Sequence, residues 1–183
     1  MESLTDHFLI AMPAMGDPNF NETVTFVFAH DEDKTMGVVI NRPTDLTTRS
    51  VFRQLSLDIS DSRLGEQAVL HGGPVRTQWG FVLHLEGEYK STIRTPAGIR
   101  VTTSQDILAA MAAGEGPDPV ILSLGCAGWG PGQLEQELAA NAWLSVPVDS
   151  DVIFNTPFEQ RWSAAAGLLG VDITLLSAYA GHA

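Results

Sequence analysis

A glycine-rich segment in the second half of the chain carries the residues best suited to chemistry. An apolar strand over 120–124 leads into a predicted turn over 125–132, and a helix with polar and apolar faces begins near Gln133. The turn holds the single cysteine, Cys126. Glycines let a backbone approach a ligand closely, and strand ends are where ligands bind in α/β proteins. The candidate binding residues here are Cys126, Gly128, Trp129 and Gln133.

The same segment is a poor match to a phosphate-binding loop. Gly125 and Gly130 have the spacing of the G-x-x-x-x-G-K-[ST] motif, but proline and glycine follow where lysine and a hydroxyl residue are needed. Glu135 and Glu137 lie in the first turns of the following helix, where they satisfy the helix dipole and would repel an anion. Nucleotide binding is therefore disfavoured, and no cofactor motif is complete.

The thiol of Cys126 has three open interpretations. At a strand-to-helix turn, exposed N–H groups can lower a thiol pKa and make it a nucleophile or a redox sensor. The nucleophile-elbow pattern G-x-Nu-x-G is half present, because Gly128 follows but Leu124 replaces the first glycine. His182 and an aspartate of the second half could complete a triad, although no spacing connects them. A small buried thiol is the favoured interpretation.

Two other predicted strand ends carry candidate binding residues. Asn41-Arg42-Pro43 leaves one strand, and Arg42 could bind a carboxylate or phosphate through two parallel hydrogen bonds. His71-Gly72-Gly73-Pro74 leaves another and resembles an oxyanion-hole loop, but its proline lacks an N–H, so a tight turn is favoured. If these ends and the one near Cys126 point the same way, the three turns share one pocket. The candidates added here are Asn41, Arg42, His71, Gly72 and Gly73.

Strands dominate the elements that must position these residues. Runs of apolar and β-branched residues predict strands over 8–12, 23–30, 36–41, 67–71, 79–85, 89–95 and 99–102. The run over 79–85 alternates as a half-buried strand should. Thr47 or Thr48 is predicted to cap a short helix that buries Val51, Phe52 and Leu55.

Helices follow in the second half of the chain. Thr103 with Asp106 resembles a capping box, and Thr156 begins a second helix in the sequence Thr-Pro-Phe-Glu. Trp129 and Trp143 flank the helix near Gln133 and suit packing better than a binding surface. Because the predicted strands come first along the chain and the helices follow, the sequence indicates an α+β fold with a mixed sheet that can curl on itself.

Composition narrows the class of protein. With 183 residues and 44% hydrophobic residues, we expect one domain over 1–183. Ten Lys and Arg against 22 Asp and Glu give a net charge of −12, which disfavours direct binding of nucleic acid or anionic membranes. One cysteine, an acidic amino terminus and no long apolar run predict a cytoplasmic protein. The five histidines lack metal-ligand spacing, so no metal site is expected.

Motifs spread along the chain also carry a family resemblance. They lie at 8–13, 17–20, 37–43, 72–75, 128–135, 141–144 and 180–183, the third reading GVVINRP and the fifth GWGPGQLE. Together, and in this order, they resemble the YqgE/AlgH family of bacterial proteins. The resemblance implies an α+β fold whose split sheet forms a pseudo-barrel with flanking helices. It implies a transcriptional-regulator label, no established catalytic residues, and a variable residue type at position 126.

The leading hypothesis is a cytosolic, non-catalytic interaction or regulatory module, because no catalytic or cofactor motif is complete. Its acidic surface suits protein partners or a small ligand better than DNA. One alternative is a ligand-binding protein or enzyme with a pocket at the Asn41, Gly72 and 125–132 turns. Another is a redox sensor at Cys126. Direct DNA contact is the last of the four.

Overall fold

The computed structural model describes residues 2–180 and has an α+β architecture. A mixed, curled sheet of ten strands forms a half-barrel with flanking helices, as the sequence and the family resemblance predict. The strands are β1 His7–Ala11, β2 Val24–His30, β3 Thr35–Val39, β4 Pro43–Thr47, β5 Ala68–His71, β6 Val75–His84, β7 Thr92–Arg94, β8 Arg100–Thr102, β9 Val120–Trp129 and β10 Trp143–Pro147. The helices are α1 Thr48–Gln54, α2 Ser62–Glu66, α3 Gln105–Ala112, α4 Gln133–Ala139, α5 Ser150–Phe154, α6 Arg161–Gly167 and α7 Ile173–Ala180.

Strand β9 lies at the centre of the sheet. The strand order is β10-β1-β2-β3-β9-β6-β8-β7, with antiparallel neighbours throughout. One edge of β9 is shared between two partners: β5 pairs with residues 123–124 in parallel, and β3 pairs with residues 127–129. Strand β4 then adds to β5. The sheet therefore splits along one side of β9.

The prediction of a turn over 125–132 is wrong for most of these residues. Strand β9 continues through the glycines to Trp129, and the chain turns only at residues 130–132. Gly125 has φ of 78°, in the left-handed region, at the point where the β6 register shifts. The glycine there allows an irregularity within the strand and does not end it.

Gly72 joins the two halves of the split. Its N–H donates to the Leu124 carbonyl at 2.9 Å, and its own carbonyl accepts from the Val39 N–H at 2.8 Å. A Cβ atom at this position would overlap the Ser123 hydroxyl and the Gly125 carbonyl. The close approach of three backbone segments therefore requires glycine.

Strand β6 also departs from its prediction. It begins at Val75, before the predicted start at Trp79, and Phe81 to His84 are buried on both faces. Phe81 and Leu83 pack into one apolar cluster and Val82 into another, so the expectation of a half-buried strand is wrong. Helices cover the face that was expected to meet water.

Two of the three predicted helix caps are wrong, whereas α4 begins at Gln133 as predicted. Thr47 caps α1, as one of the two predicted alternatives, and Ser50 is its reciprocal partner in a capping box. The N-cap of α3 is Ser104 and not Thr103. Thr156 donates its hydroxyl to the Asp151 carbonyl, and a 3₁₀ turn over Phe158–Gln160 precedes α6. The Thr156 hydroxyl thus bonds the preceding helix α5 instead of capping the next one.

Three apolar clusters hold the helices on the sheet. One joins strands β1, β2 and β6 to α5, α6 and α7, a second lies under α1 and α3, and a third lies beside α4. Within residues 2–180, no helix combines the length and apolar character needed to cross a membrane.

Leu55 of the predicted helical face is 44% exposed, so its assignment to the core is wrong.

His84 is a buried titratable group at the β6–β8 pairing. Its Nδ1 donates to the Glu86 carbonyl at 2.6 Å, and its Nε2 accepts from the Thr102 hydroxyl at 2.7 Å. Burial lowers the pKa of His84 below its ordinary value of 6.5, with a smaller lowering contribution from Arg100. The folded state therefore favours the neutral imidazole.

The depressed pKa of His84 predicts an acid-dependent loss of stability. The unfolded chain binds the proton first, so the free energy of unfolding falls as pH drops through 6.5 toward the folded pKa. The slope from this group is at most about 1.4 kcal/mol per pH unit. Urea unfolding of wild type between pH 7.5 and 5.5 should show it, His84→Gln should lose it, and His71→Gln should keep it. An unchanged slope in His84→Gln would contradict the assignment.

Alanine at Gly72 should destabilise the fold because its Cβ overlaps backbone on β9. We expect Gly72→Ala to lower the free energy of unfolding by about 2 to 3 kcal/mol. Gly130→Ala is the matched control, since a Cβ there meets nothing within 4 Å, and it should change stability by less than about 0.5 kcal/mol. Denaturant unfolding of the two variants measures the difference, and equal effects would exclude the steric explanation.

Candidate functional site

The structure places Cys126 in the interior of β9, so its predicted position on an open turn is wrong. The side chain is fully buried. Burial raises the pKa of the Cys126 thiol above its usual value, against a smaller lowering effect of Arg76. A reactive thiol needs access and a lowered pKa, so this geometry lends no support to a nucleophile or a redox sensor. The proposed triad partner His182 lies outside the described residues.

Arg42 binds its own chain. Its guanidinium donates to the carbonyls of Pro18 at 2.7 Å and Asn19 at 2.8 Å, and to the carbonyl and side-chain oxygen of Asn21, each at 2.9 Å. Asn41 likewise bonds backbone groups through both atoms of its amide. The two candidates hold the loop before β2 in place. The guanidinium N–H groups of Arg42 that would bind an anion are already bonded within the chain.

Trp129 and Gln133 belong to a network around one carboxylate. The indole N–H groups of Trp129 and Trp143 both donate to Oε2 of Glu137, at 2.9 and 2.7 Å, and the Gln133 amide donates to Oε1 at 3.0 Å. The two indoles also pack with Phe20 at centroid distances between 5.5 and 5.9 Å. Trp129 is 4% exposed, which confirms the packing interpretation.

The predicted strand ends do meet, but through backbone contacts. The His71 N–H donates to the Arg42 carbonyl at 2.8 Å, and Gly72 bonds β9 as described above. Gly73 lies so close to Cys126 that a Cβ would overlap its carbonyl group. The three segments are neighbours in a filled sheet junction, and Gly128 is exposed further along β9. None of the nine candidate residues lines either of the two clefts described below.

The sequence did not point to an apolar groove on the opposite side of this junction. It lies between α1, α3 and the first half of β6 and has a volume of about 660 Å³. Trp79 is 52% exposed there, Leu55 44% and Leu46 38%. We call this surface the Trp79 groove; its lining includes Leu46, Leu55, Gln78, Trp79, Gln105 and Leu108.

A large bulge in β6 presents the tryptophan to solvent. The β6–β9 pairing is interrupted so that residues 76–79 face the single residue Gly125. Arg76 adopts a left-handed φ of 50°, and its guanidinium carbon lies 4.6 Å from the centre of the Trp79 ring. Such a backbone conformation is uncommon for a residue other than glycine. The bulge places the Trp79 ring at the surface, and the cation–π contact with Arg76 adds a stabilising interaction to it.

The lining of the Trp79 groove is suited to binding and not to acid–base chemistry. None of its sixteen residues is charged, and its polar groups are amides and hydroxyls. General acid–base catalysis requires a titratable side chain near the reacting atoms. The lining itself is uncharged, and the Arg76 guanidinium lies over the exposed Trp79 ring beside it.

One signal in the sequence could have located the bulge. Gly80 lies inside the β6 run, and an isolated glycine within a strand often marks a bulge or a bend. The residues that complete the groove come from α1 and α3, and no local pattern relates them to β6. In the part of the chain that is described, no three His, Cys, Asp or Glu side chains are grouped to hold a metal ion.

Comparison with known proteins gives consistent matches over nearly the whole chain. The model of a family described as AlgH-like matches residues 8–174. A UPF0301 protein of Thioalkalivibrio sulfidiphilus is 53% identical over 182 residues, which covers 99% of this chain and 97% of that protein. A UPF0301 protein of Xanthomonas campestris is 49% identical over 181 residues, covering 98% and 96%. These names state no activity.

Solved structures agree with the fold. The solution structure of the AlgH protein from Pseudomonas aeruginosa superposes with a TM-score of 0.81 at 50% identity, covering 99% of this chain and 96% of that one. A crystal structure of a Corynebacterium diphtheriae protein gives a TM-score of 0.74 at 20% identity over 97% and 92% of the two chains. The second match supports the fold alone.

Removal of the Glu137 carboxylate should destabilise the junction of β9, α4 and β10. Glu137→Ala leaves two buried indole N–H groups without their acceptor, and we expect a loss of about 2 to 3 kcal/mol in the free energy of unfolding. Gln136→Ala is the control, because Gln136 is exposed on the same helix, and it should cost less than about 0.5 kcal/mol. Denaturant unfolding monitored by tryptophan fluorescence tests both. Similar losses would show that the network contributes nothing specific.

Proposed function

The chain belongs to the AlgH-like family, and from this premise we propose that it is a non-catalytic interaction module. The Trp79 groove is its docking surface, and the occupant is an amphipathic helix of a partner protein. The observation that carries the proposal is an uncharged groove with an exposed tryptophan on a chain in which 17% of residues are charged. A regulatory role would act through this partner.

The shape and composition of the groove favour a helix as the occupant. Two helices and an exposed stretch of strand border a groove of about 660 Å³, a form that receives the apolar face of an amphipathic helix at i, i+3, i+4 and i+7 positions. Leu46, Leu55 and Trp79 offer apolar contact area. Glutamines 54, 78 and 105 add hydrogen-bonding groups that a partner's polar flank can use.

The charge of the chain favours a basic partner. The chain as a whole has a net charge of −12, and none of the residues that line the groove is charged. Long-range attraction would bring a cationic helix to this surface, and apolar contacts in the groove would hold it. The same charge disfavours direct contact with DNA, whose phosphates the chain would repel. We place the protein in the cytoplasm, which suits its single buried thiol.

A designed peptide pair tests the proposal directly. The probes are a labelled amphipathic leucine–lysine helix and a leucine–glutamate helix of the same pattern, in buffer of about 0.15 M salt so that non-specific attraction is screened. Fluorescence anisotropy should show micromolar binding of the first peptide alone. Trp79→Ala should weaken it about 10-fold or more, as expected for a tryptophan at the centre of an interface.

Ile93→Ala is the matched control. Ile93 is 44% exposed on β7 and does not line the groove, so its truncation should leave binding unchanged. Binding that Trp79→Ala does not alter would identify adsorption to the acidic surface and contradict the proposal. Equal binding of the leucine–glutamate peptide would contradict the basic character of the partner.

A further inference from the structure

A second cleft contains a buried arginine that has no carboxylate partner among residues 2–180. It lies between α2, the loop after α3 and the start of α6, with a volume of about 780 Å³. Arg161 lines this cleft and is 4% exposed. The cleft shares no lining residue with the Trp79 groove, so it is an independent site.

The contacts of Arg161 leave part of its guanidinium unused. Nε donates to the Thr156 carbonyl at 2.9 Å, and Nη1 donates to the Ile40 carbonyl. The guanidinium carbon lies 4.4 Å from the centre of the Phe158 ring. Nη2 has no partner within residues 2–180, and it is not among the fully enclosed unpaired atoms. Nη2 therefore keeps some solvent exposure, and Arg161 lines this cleft.

Within the described residues, no acidic side chain compensates the charge of Arg161. No Asp or Glu oxygen of the described residues lies within 4.0 Å of its nitrogens. Burial lowers the pKa of Arg161 to about 10, so the side chain stays protonated at neutral pH. A buried charge without a partner is costly, and an anion bonded to its free edge would offset that cost.

The other walls of the cleft restrict the anion. Met111, Ile121 and Phe154 give it an apolar side. Three acidic residues also border it, against the exposed Arg63, and they would repel a doubly charged phosphate more than a single carboxylate. The three acidic residues are Asp61, Glu66 and Asp118.

We propose that this cleft binds a small monocarboxylate with an apolar body, and that Nη2 of Arg161 donates to the ligand carboxylate. The apolar body then lies along Met111, Ile121 and Phe154. Arginine suits this role because its planar fork of donors matches a carboxylate. The site is separate from the peptide groove, so either proposal can fail without the other.

NMR spectroscopy of the wild-type protein tests the site without any variant. The Nε–H of Arg161 is buried and bonded to a carbonyl, so its resonance should be observable at neutral pH. We expect 4-methylpentanoate to shift it with a Kd of about 1 mM, the range for a ligand of this size. The neutral isostere 4-methylpentanamide and inorganic phosphate should cause no shift at the same concentration.

Matched variants assign the binding to Arg161. Arg161→Lys should weaken binding about 10-fold or more, since lysine lacks the planar fork. Arg63→Met should bind as wild type, because Arg63 borders the same cleft with a side chain 86% exposed. Ser62→Trp, at an exposed position on α2, should block the cleft and leave the fold intact. It tests the site even if Arg161→Lys does not fold.

Several results would overturn the proposal. These are no shift in wild type at concentrations about 20 times the expected Kd, equal binding of the amide, or tighter binding of phosphate. Retained binding in both Arg161→Lys and Ser62→Trp would place the ligand elsewhere. Loss of binding in Arg63→Met would assign it to the exposed pair with Asp118.

Discussion

The close packing of backbone at Gly72, Gly73 and Gly125 is the constraint on which the rest of the structure depends. At this point β9 exchanges one neighbour, β5, for another, β3, and no side chain fits between the segments. On the other edge of β9 the same irregularity pushes residues 76–79 out of register. The feature that joins the halves of the sheet thus also creates the bulge that exposes Trp79.

The glycine pattern predicted where this junction lies, but we interpreted its residues as a binding site. Glycine at positions 72, 73 and 125 signals close approach to a backbone, and a ligand or another strand satisfies that requirement equally well. Arg42 and Trp129 have the donors of binding residues, but the chain itself supplies their acceptors. Eight of the ten strands, the Thr47 cap and the α+β class could be predicted from local periodicity and the family resemblance, whereas β4 and β10 were not predicted.

The clefts could not be predicted, because each depends on contacts between distant parts of the chain. Trp79 belongs to an alternating strand, and only the position of α1 and α3 turns its surroundings into a groove. Arg161 bonds the Ile40 carbonyl across 121 positions in sequence. An arginine in a helical pattern is expected to be solvated, and nothing local shows that it lies buried without an acid. Both surfaces emerge from tertiary structure alone.

The distance between Trp129 and Trp143, which both donate to Glu137, shows how strongly the sheet is curved. Strands β9 and β10 are consecutive in the chain but four steps apart in the strand order, which corresponds to about 19 Å in a flat sheet. Their indole rings are nevertheless 5.9 Å apart and share one carboxylate oxygen. Glu137 therefore links the edge strand β10 to the central strand β9 across the curved sheet. Loss of this shared acceptor would remove a direct side-chain link between the edge strand and the central strand.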